Sequence, residues 1–152
     1  MVLPDVNVLV YAHREDLAGH GRYRDWLTDI VNCDAFYGMS DHVLSGFLRV
    51  VTHPRVFWKP TPLKVAVAFV TEIRDRVNCV PISPGPRHSE IFIRLCKIAG
   101  ARGNLVPDAY LAAFAIEAGA EWVTTDRGLR EISGSPLAAS TRLAPLPFLV
   151  ML

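Results

Sequence analysis

Val2-Leu3-Pro4-Asp5-Val6-Asn7-Val8-Leu9-Val10-Tyr11 is the stretch on which the fold turns. Val2 and Leu3 read as a short buried strand. Pro4 lacks an N–H, so it suits the end of a strand and not its middle. Asp5 closes the strand, and the residues from Val6 to Tyr11 run into a turn and then a helix. Near the other end of the chain, Trp122-Val123-Thr124-Thr125 reads as a late strand and is followed by Asp126. Two apolar strands that each end on an aspartate define one side of a layered protein.

The elements between them alternate. Tyr23, Trp26, Leu27 and Ile30 recur at helical spacing between Gly21 and Val31. Ala35-Phe36-Tyr37 reads as a short strand. Ser40 is placed as the N-cap of a helix carrying Val43, Leu44, Phe47, Leu48 and Val51, which Pro54 ends. Pro62 opens a helix over 65–73, Cys79-Val80-Pro81-Ile82 is a strand, and an amphipathic helix carrying Ile91, Phe92, Leu95 and Ile98 runs to Gly100. Pro107 is read as opening the helix that begins with Asp108, and Gly119 as stopping it. Helices separate the strands, which predicts an α/β fold of helices layered on a central, mostly parallel sheet of about four or five strands. The 152 residues fit one domain with one core.

Hydrophobic residues make up 51% of the chain. A parallel sheet covered on both faces accounts for such an excess, and so does an obligate partner that covers apolar surface. Charges or prolines interrupt every apolar run before it reaches the length of a membrane span, so no membrane role is expected. Met1 leads almost directly into Asp5, which leaves no room for a signal peptide. Cys33, Cys79 and Cys96 are odd in number and widely spaced, which points to buried thiols in a reducing compartment. The expected location is the cytoplasm. A net charge of +1 supplies no global basic field for nucleic acid, so any RNA contact has to come from local cations.

Asp5 and Asp126 follow strands and Asp108 sits in a first helical turn, so all three are expected in the crevice beyond the carboxyl ends of the strands. Clustered carboxylates repel and are costly to bury; Mg²⁺, which prefers oxygen ligands and keeps several waters, is the usual compensation. Each residue also has a plainer reading: Asp5 as a helix cap, Asp108 as a complement to the helix dipole, Asp126 as a turn residue. Arg49 is a candidate phosphate contact or an ion-pair partner. Arg102 and Asn104 precede the Asp108 helix and read as a loop. His53 reads as structural, and Trp26, Trp58 and Trp122 as core residues, Trp58 being the weakest assignment.

Three blocks together resemble the PIN-domain family, and within it VapC toxins: Leu3 to Ala12; Phe47-Leu48-Arg49-Val50-Val51-Thr52-His53-Pro54-Arg55-Val56-Phe57; and Asn104 to Ala113 with Trp122 to Asp126. The resemblance covers residues 1 to about 129. It implies a PIN-like α/β/α sandwich and an endoribonuclease that uses Mg²⁺ or Mn²⁺ to hydrolyse RNA phosphodiester bonds. It also implies a likeness to the toxin of a type II toxin–antitoxin module: a homodimer neutralised by a VapB-type antitoxin, touching DNA only through it. Asp5, Asp108 and Asp126 then match family acids that hold metal and carry catalysis, and Asn7 and Thr125 match the small polar residues supporting the first and last of them. Where the family usually has a glutamate, this chain has Gly46; neither Asp41 nor Glu117 falls on that position. That departure supports an alternative, a PIN-fold module that binds RNA or antitoxin with weak or lost catalysis. It also sets two expectations for Gly46→Glu, tighter metal binding and a gain of roughly 0.5–1 kcal/mol in helix stability. A carboxylate phosphatase is disfavoured because Asn7 stands where its second aspartate is required. The apolar tail from Leu143 to Leu152 is read as an edge element docked on the core.

Overall fold

The computed structural model describes residues 1–125, in which the chain passes directly from strand to helix at Asp5. Strand β1 (Val2–Pro4) ends on the proline, and α1 (Val6–His13) begins one residue after it. Valines are poor helix formers because χ1 is restricted, yet α1 is helical. Its N-cap, Asp5, has extended backbone and accepts the Val6 N–H. Burial supplies the rest, since Val6, Val8, Leu9, Val10, Tyr11 and Ala12 all lie inside. A helix buried on nearly every side explains part of the apolar excess.

After α2 (His20–Asn32) the chain forms β2 (Tyr37–Ser40), α3 (Asp41–Val51), α4 (Leu63–Arg74), β3 (Cys79–Ile82), α5 (His88–Ala99), α6 (Leu105–Ala118) and β4 (Glu121–Val123). The four strands form an all-parallel sheet in the order β3-β2-β1-β4. Register pairs Val2 with Tyr37 on one side, and Val2, Leu3 and Pro4 with Glu121, Trp122 and Val123 on the other. The α/β architecture with a parallel sheet is therefore as expected.

Boundaries moved for local reasons. Strand β2 starts at Tyr37, two residues later than the apolar pattern of Ala35 and Phe36 indicated; Phe36 is 63% exposed. Ser40 ends β2 and also caps α3, its Oγ accepting the Val43 N–H at 3.2 Å. Helix α6 begins at Leu105, so Pro107 lies within its first turn and does not open it. Gly100 and Gly119 close α5 and α6 in the left-handed region, at φ 56° and 59°. The thiols differ from expectation: Cys33 is exposed, and Cys79 and Cys96 are half-buried. Trp58 is also a correction, being 97% exposed and no part of the core. Asp126 and the apolar tail lie outside the described residues.

Two polar anchors tie loops to this frame. Asn78 is buried, and its Nδ2 donates to the carbonyls of Cys33 (2.8 Å) and Ala35 (3.2 Å), fixing the entries of β2 and β3 together. Glu117, near the end of α6, accepts the Gly85 and Arg87 N–H groups at 2.8 Å each, fastening the segment between β3 and α5. Position 85 must be small, because a Cβ there would stand 2.5 Å from Glu117 Oε1. Glu117 is thus a structural acid. Glu117→Ala should lower stability by about 1–3 kcal/mol, since it strips charged acceptors from two backbone donors. A lower urea midpoint at unchanged slope is the expected readout, with Glu117→Gln intermediate.

Candidate functional site

The order of the strands reverses at β1, which leads directly into Asp5. The chain lays β2 and β3 on one side of β1 and then crosses to add β4 on the other. Ligand sites of open α/β sheets form where that direction reverses, beyond the carboxyl ends of the strands. The carboxyl ends of β1 and β4 are Pro4 and Val123, which are register partners. The next residue along each strand is Asp5 and Thr124.

Asp5 is 2% exposed. Its backbone N–H donates to the Val123 carbonyl at 2.9 Å, continuing the sheet by one more bond. Its carboxylate accepts from two sides: the Val6 N–H at 2.6 Å and the Thr124 hydroxyl at 2.7 Å. Such donors favour the ionised form and offset the cost of burying it. Thr124 was not singled out from sequence, where Thr125 was chosen as a supporting residue. The signal was available in the strand pairing: once Pro4 opposes Val123, Thr124 stands beside Asp5.

Asp108 lies in the first turn of α6 and is half-buried. Two residues further on, the Tyr110 ring meets His42 of the first α3 turn at 4.9 Å between centroids, and it packs on the buried His88 at 4.4 Å. Burial, with His88 and Arg49 nearby, holds the His42 pKa below its ordinary value. These aromatic contacts bring the starts of α3 and α6 together. Arg49 is exposed in the last turn of α3. Asp41, at the start of that helix, is exposed and lies 3.8 Å from Arg74.

A hard cation needs several oxygen donors in one place. Among the described residues no group of three or more His, Cys, Asp or Glu side chains is placed to hold a metal ion. Asp126 falls outside those residues, so the expected trio cannot be assembled from them. Asp5 and Asp108 are oxygen donors of the kind Mg²⁺ prefers. Asn7, in the first turn of α1, adds an amide oxygen that is buried with no hydrogen-bond partner. A buried acceptor left unpaired is costly, and a cation or its bound water answers it. The residues present fit a divalent metal.

Gly46 is explained by close packing. A Cβ there would stand 2.8 Å from Val6 Cγ2, so the glycine lets α3 approach the first turn of α1 directly behind Asp5. The missing acid is therefore not a gap in the structure, because Val6 fills the space next to it.

Comparison with known proteins gives consistent matches. The PIN domain family model matches residues 2–135. Ribonuclease VapC43 of Mycobacterium tuberculosis is 44% identical over 128 residues, covering 84% of this chain and 87% of that protein. Ribonuclease VapC25 of the same species is 40% identical over 127 residues, covering 84% and 89%. In fold, the chain is similar to a chain in the crystal structure of VapBC2 from Rickettsia felis bound to a DNA fragment from their promoter. There the TM-score is 0.60 at 18% identity, with 88% of this chain and 94% of that one covered.

The Val6 contact reverses one expectation from sequence. Replacing a mid-helix glycine normally gains about 1 kcal/mol, but any side chain at 46 must displace a buried β-branched neighbour with one preferred rotamer. Overpacking of that kind costs about 1–3 kcal/mol. Gly46→Ala should therefore be net destabilising in chemical denaturation, and Gly46→Glu more so. Adding Val6→Ala should recover much of the loss. Additive effects in the double mutant would mean that the two positions do not touch.

Proposed function

The chain belongs to the PIN-domain family, and on that footing we propose that it is the toxin of a type II toxin–antitoxin module, a metal-dependent endoribonuclease. The supporting observation is Asp5. It is a fully buried carboxylate at the reversal of strand order, in a chain 44% identical to a protein named as a ribonuclease.

In this reading Asp5, Asp108 and Asp126 hold Mg²⁺ or Mn²⁺. A divalent ion held there would supply an acidified water as nucleophile and charge neutralisation at the phosphoryl oxygens. The protein's own contribution is positional. The Thr124 hydroxyl and the Val6 N–H both donate to the Asp5 carboxylate and fix it in one orientation, which is the preorganisation that electrostatic catalysis needs. Asn7 offers its unpaired oxygen to the cation or to its bound water. Asp108 sits at the positive end of the α6 dipole, which favours its charged form. Arg49 is assigned to a substrate phosphate, and Thr125 to the support of Asp126.

The partners assigned are an RNA substrate, a VapB-type antitoxin and a second copy of this chain, with DNA reached only through the antitoxin. No helix among the described residues is long and apolar enough to cross a membrane; the cytoplasm is the proposed location. A binding module with weak catalysis is the second reading. It draws on Gly46, where the family's usual acid is absent and Val6 occupies the adjoining space.

Asp5→Asn decides between the two. It preserves shape while removing the charge that holds the cation. RNA cleavage by the wild type in Mg²⁺ or Mn²⁺ should be lost in this variant and in chelator, with circular dichroism unchanged. Cleavage that survives either treatment overturns the metal-nuclease reading, and RNA binding without turnover in the wild type supports the module.

The antitoxin assignment has its own check. Large apolar side chains stand exposed on several elements, including Phe36 at 63%, Leu63 at 63% and Ile98 at 65%, and such surface invites association. Co-expression with a VapB-type antitoxin should raise soluble yield. A highly soluble, monodisperse monomer produced alone is the contrary result.

A further inference from the structure

From His42 through Thr71 the sequence contains no aspartate or glutamate, while Arg49, Arg55, Lys59 and Lys64 all fall inside that stretch. In a chain of net charge +1 this is a marked local imbalance. All four cations are exposed, and none of them forms an ion pair among the described residues. The stretch starts at the crevice, because α3 follows directly on the end of β2 beside Asp5. Its helix then carries the chain onward by roughly 16 Å to the irregular segment before α4.

That segment holds Trp58, which is 97% exposed, between Phe57 at 6% and Thr61 at 8%. The outward pose is built in. The Arg14 guanidinium lies 4.1 Å above the Phe57 ring, donates to the Lys59 carbonyl at 2.9 Å and donates to Thr61 Oγ1 at 3.2 Å. Backbone bonds add to this, with Thr61 N–H donating to the Val51 carbonyl at 2.8 Å. Asp16, the carboxylate that Arg14 brings towards the segment, is engaged by the same guanidinium at 2.6 Å. The loop is thus pinned on both sides of a tryptophan that contributes nothing to the core, and Arg55 and Lys59 flank the ring in sequence.

We propose that Trp58, with Arg55, Lys59 and Lys64, forms an accessory docking face for single-stranded RNA, on which a base stacks on the indole and the cations hold phosphates. An exposed ring among unpaired cations is the arrangement by which proteins bind single strands without reading sequence. Two of the three cations assigned to this face are lysines, a residue type depleted at protein interfaces, and the 42–71 stretch offers no acidic side chain among them; both points favour a polyanion over a protein partner. The inference rests on the proposal that RNA is the substrate, and it adds a contact remote from the Asp5 crevice that would hold the strand leaving it.

The test is fluorescence anisotropy with labelled single-stranded oligouridylate in EDTA, comparing the wild type with Trp58→Ala, Trp58→Phe and Lys59→Glu/Lys64→Glu. Stacking of one base predicts about ten-fold weaker binding for Trp58→Ala, with most affinity kept by Trp58→Phe. The charge reversal should weaken binding and flatten its salt dependence. Titration with oligouridylate should also quench tryptophan emission in the wild type and much less in Trp58→Ala. Wild-type affinity in both Trp58→Ala and the charge-reversal variant overturns the docking face while leaving the nuclease reading intact. So does loss of antitoxin binding alone, which assigns the face to a protein partner. If the wild type neither binds nor cleaves RNA, the functional reading and this inference fall together.

Discussion

The interaction on which the rest of this structure depends is the burial of the Asp5 carboxylate. A charge at 2% exposure is expensive, and its compensation comes from one donor next in sequence and one remote from it. The Val6 N–H belongs to the helix that Asp5 caps, and the Thr124 hydroxyl belongs to the end of the last strand. The hydroxyl is in reach only when β4 pairs with β1 in the observed register, so satisfying the second oxygen requires the crossover that reverses the order of the sheet. The same requirement orients the carboxylate. Stability and the proposed chemistry therefore draw on one set of hydrogen bonds, and the cost of the buried charge is met in the free protein before any substrate arrives.

A second constraint follows from where Asp5 sits. The residue after it, Val6, is locked between the core and α3, and Gly46 is what allows that helix to come so close. An acidic side chain at position 46 and a β-branched residue at position 6 compete for the same volume. In this chain the volume went to packing, which trades a possible donor at the site for a tighter seam between α1 and α3.

Much of this was legible in the sequence. The strand-ending Pro4, the Ser40 cap and the glycines after α5 and α6 are local signals with a steric cause, and each stands in the structure where its residue type requires. The shift of β2 from Ala35 to Tyr37 shows the limit, because hydrophobicity marks what is buried or exposed only after the partner strand is known, and Phe36 is left outside. Thr124 was missed for a related reason. Its role depends on register between residues 119 positions apart, and neighbouring threonines are indistinguishable by composition. Gly46 was legible as a departure but not as a contact, since the atom it avoids lies on another helix. The Trp58 loop was the least readable of all: a tryptophan in an apolar sequence reads as core until Arg14, from the end of α1, is seen fastening the residues on either side of it.

The apolar excess has two physical sources. Helices α1 and α6 take up part of it, since Val8 to Ala12 and Leu111 to Ala115 are buried without interruption, as befits helices enclosed by a sheet and other helices. The remainder is on the surface, and it is dispersed. Phe36 precedes β2, Val77 precedes β3, Leu63, Val65 and Val67 lie on α4, and Ile93 and Ile98 on α5. A compact partner docking on one patch would leave most of these in water. An extended arm that crosses several elements covers more of them for a given number of ordered residues, at the entropic cost that folding on binding carries. Lys64 stands between Leu63 and Val65, so on α4 the apolar and the cationic side chains share one helix, and a partner that docks there meets both.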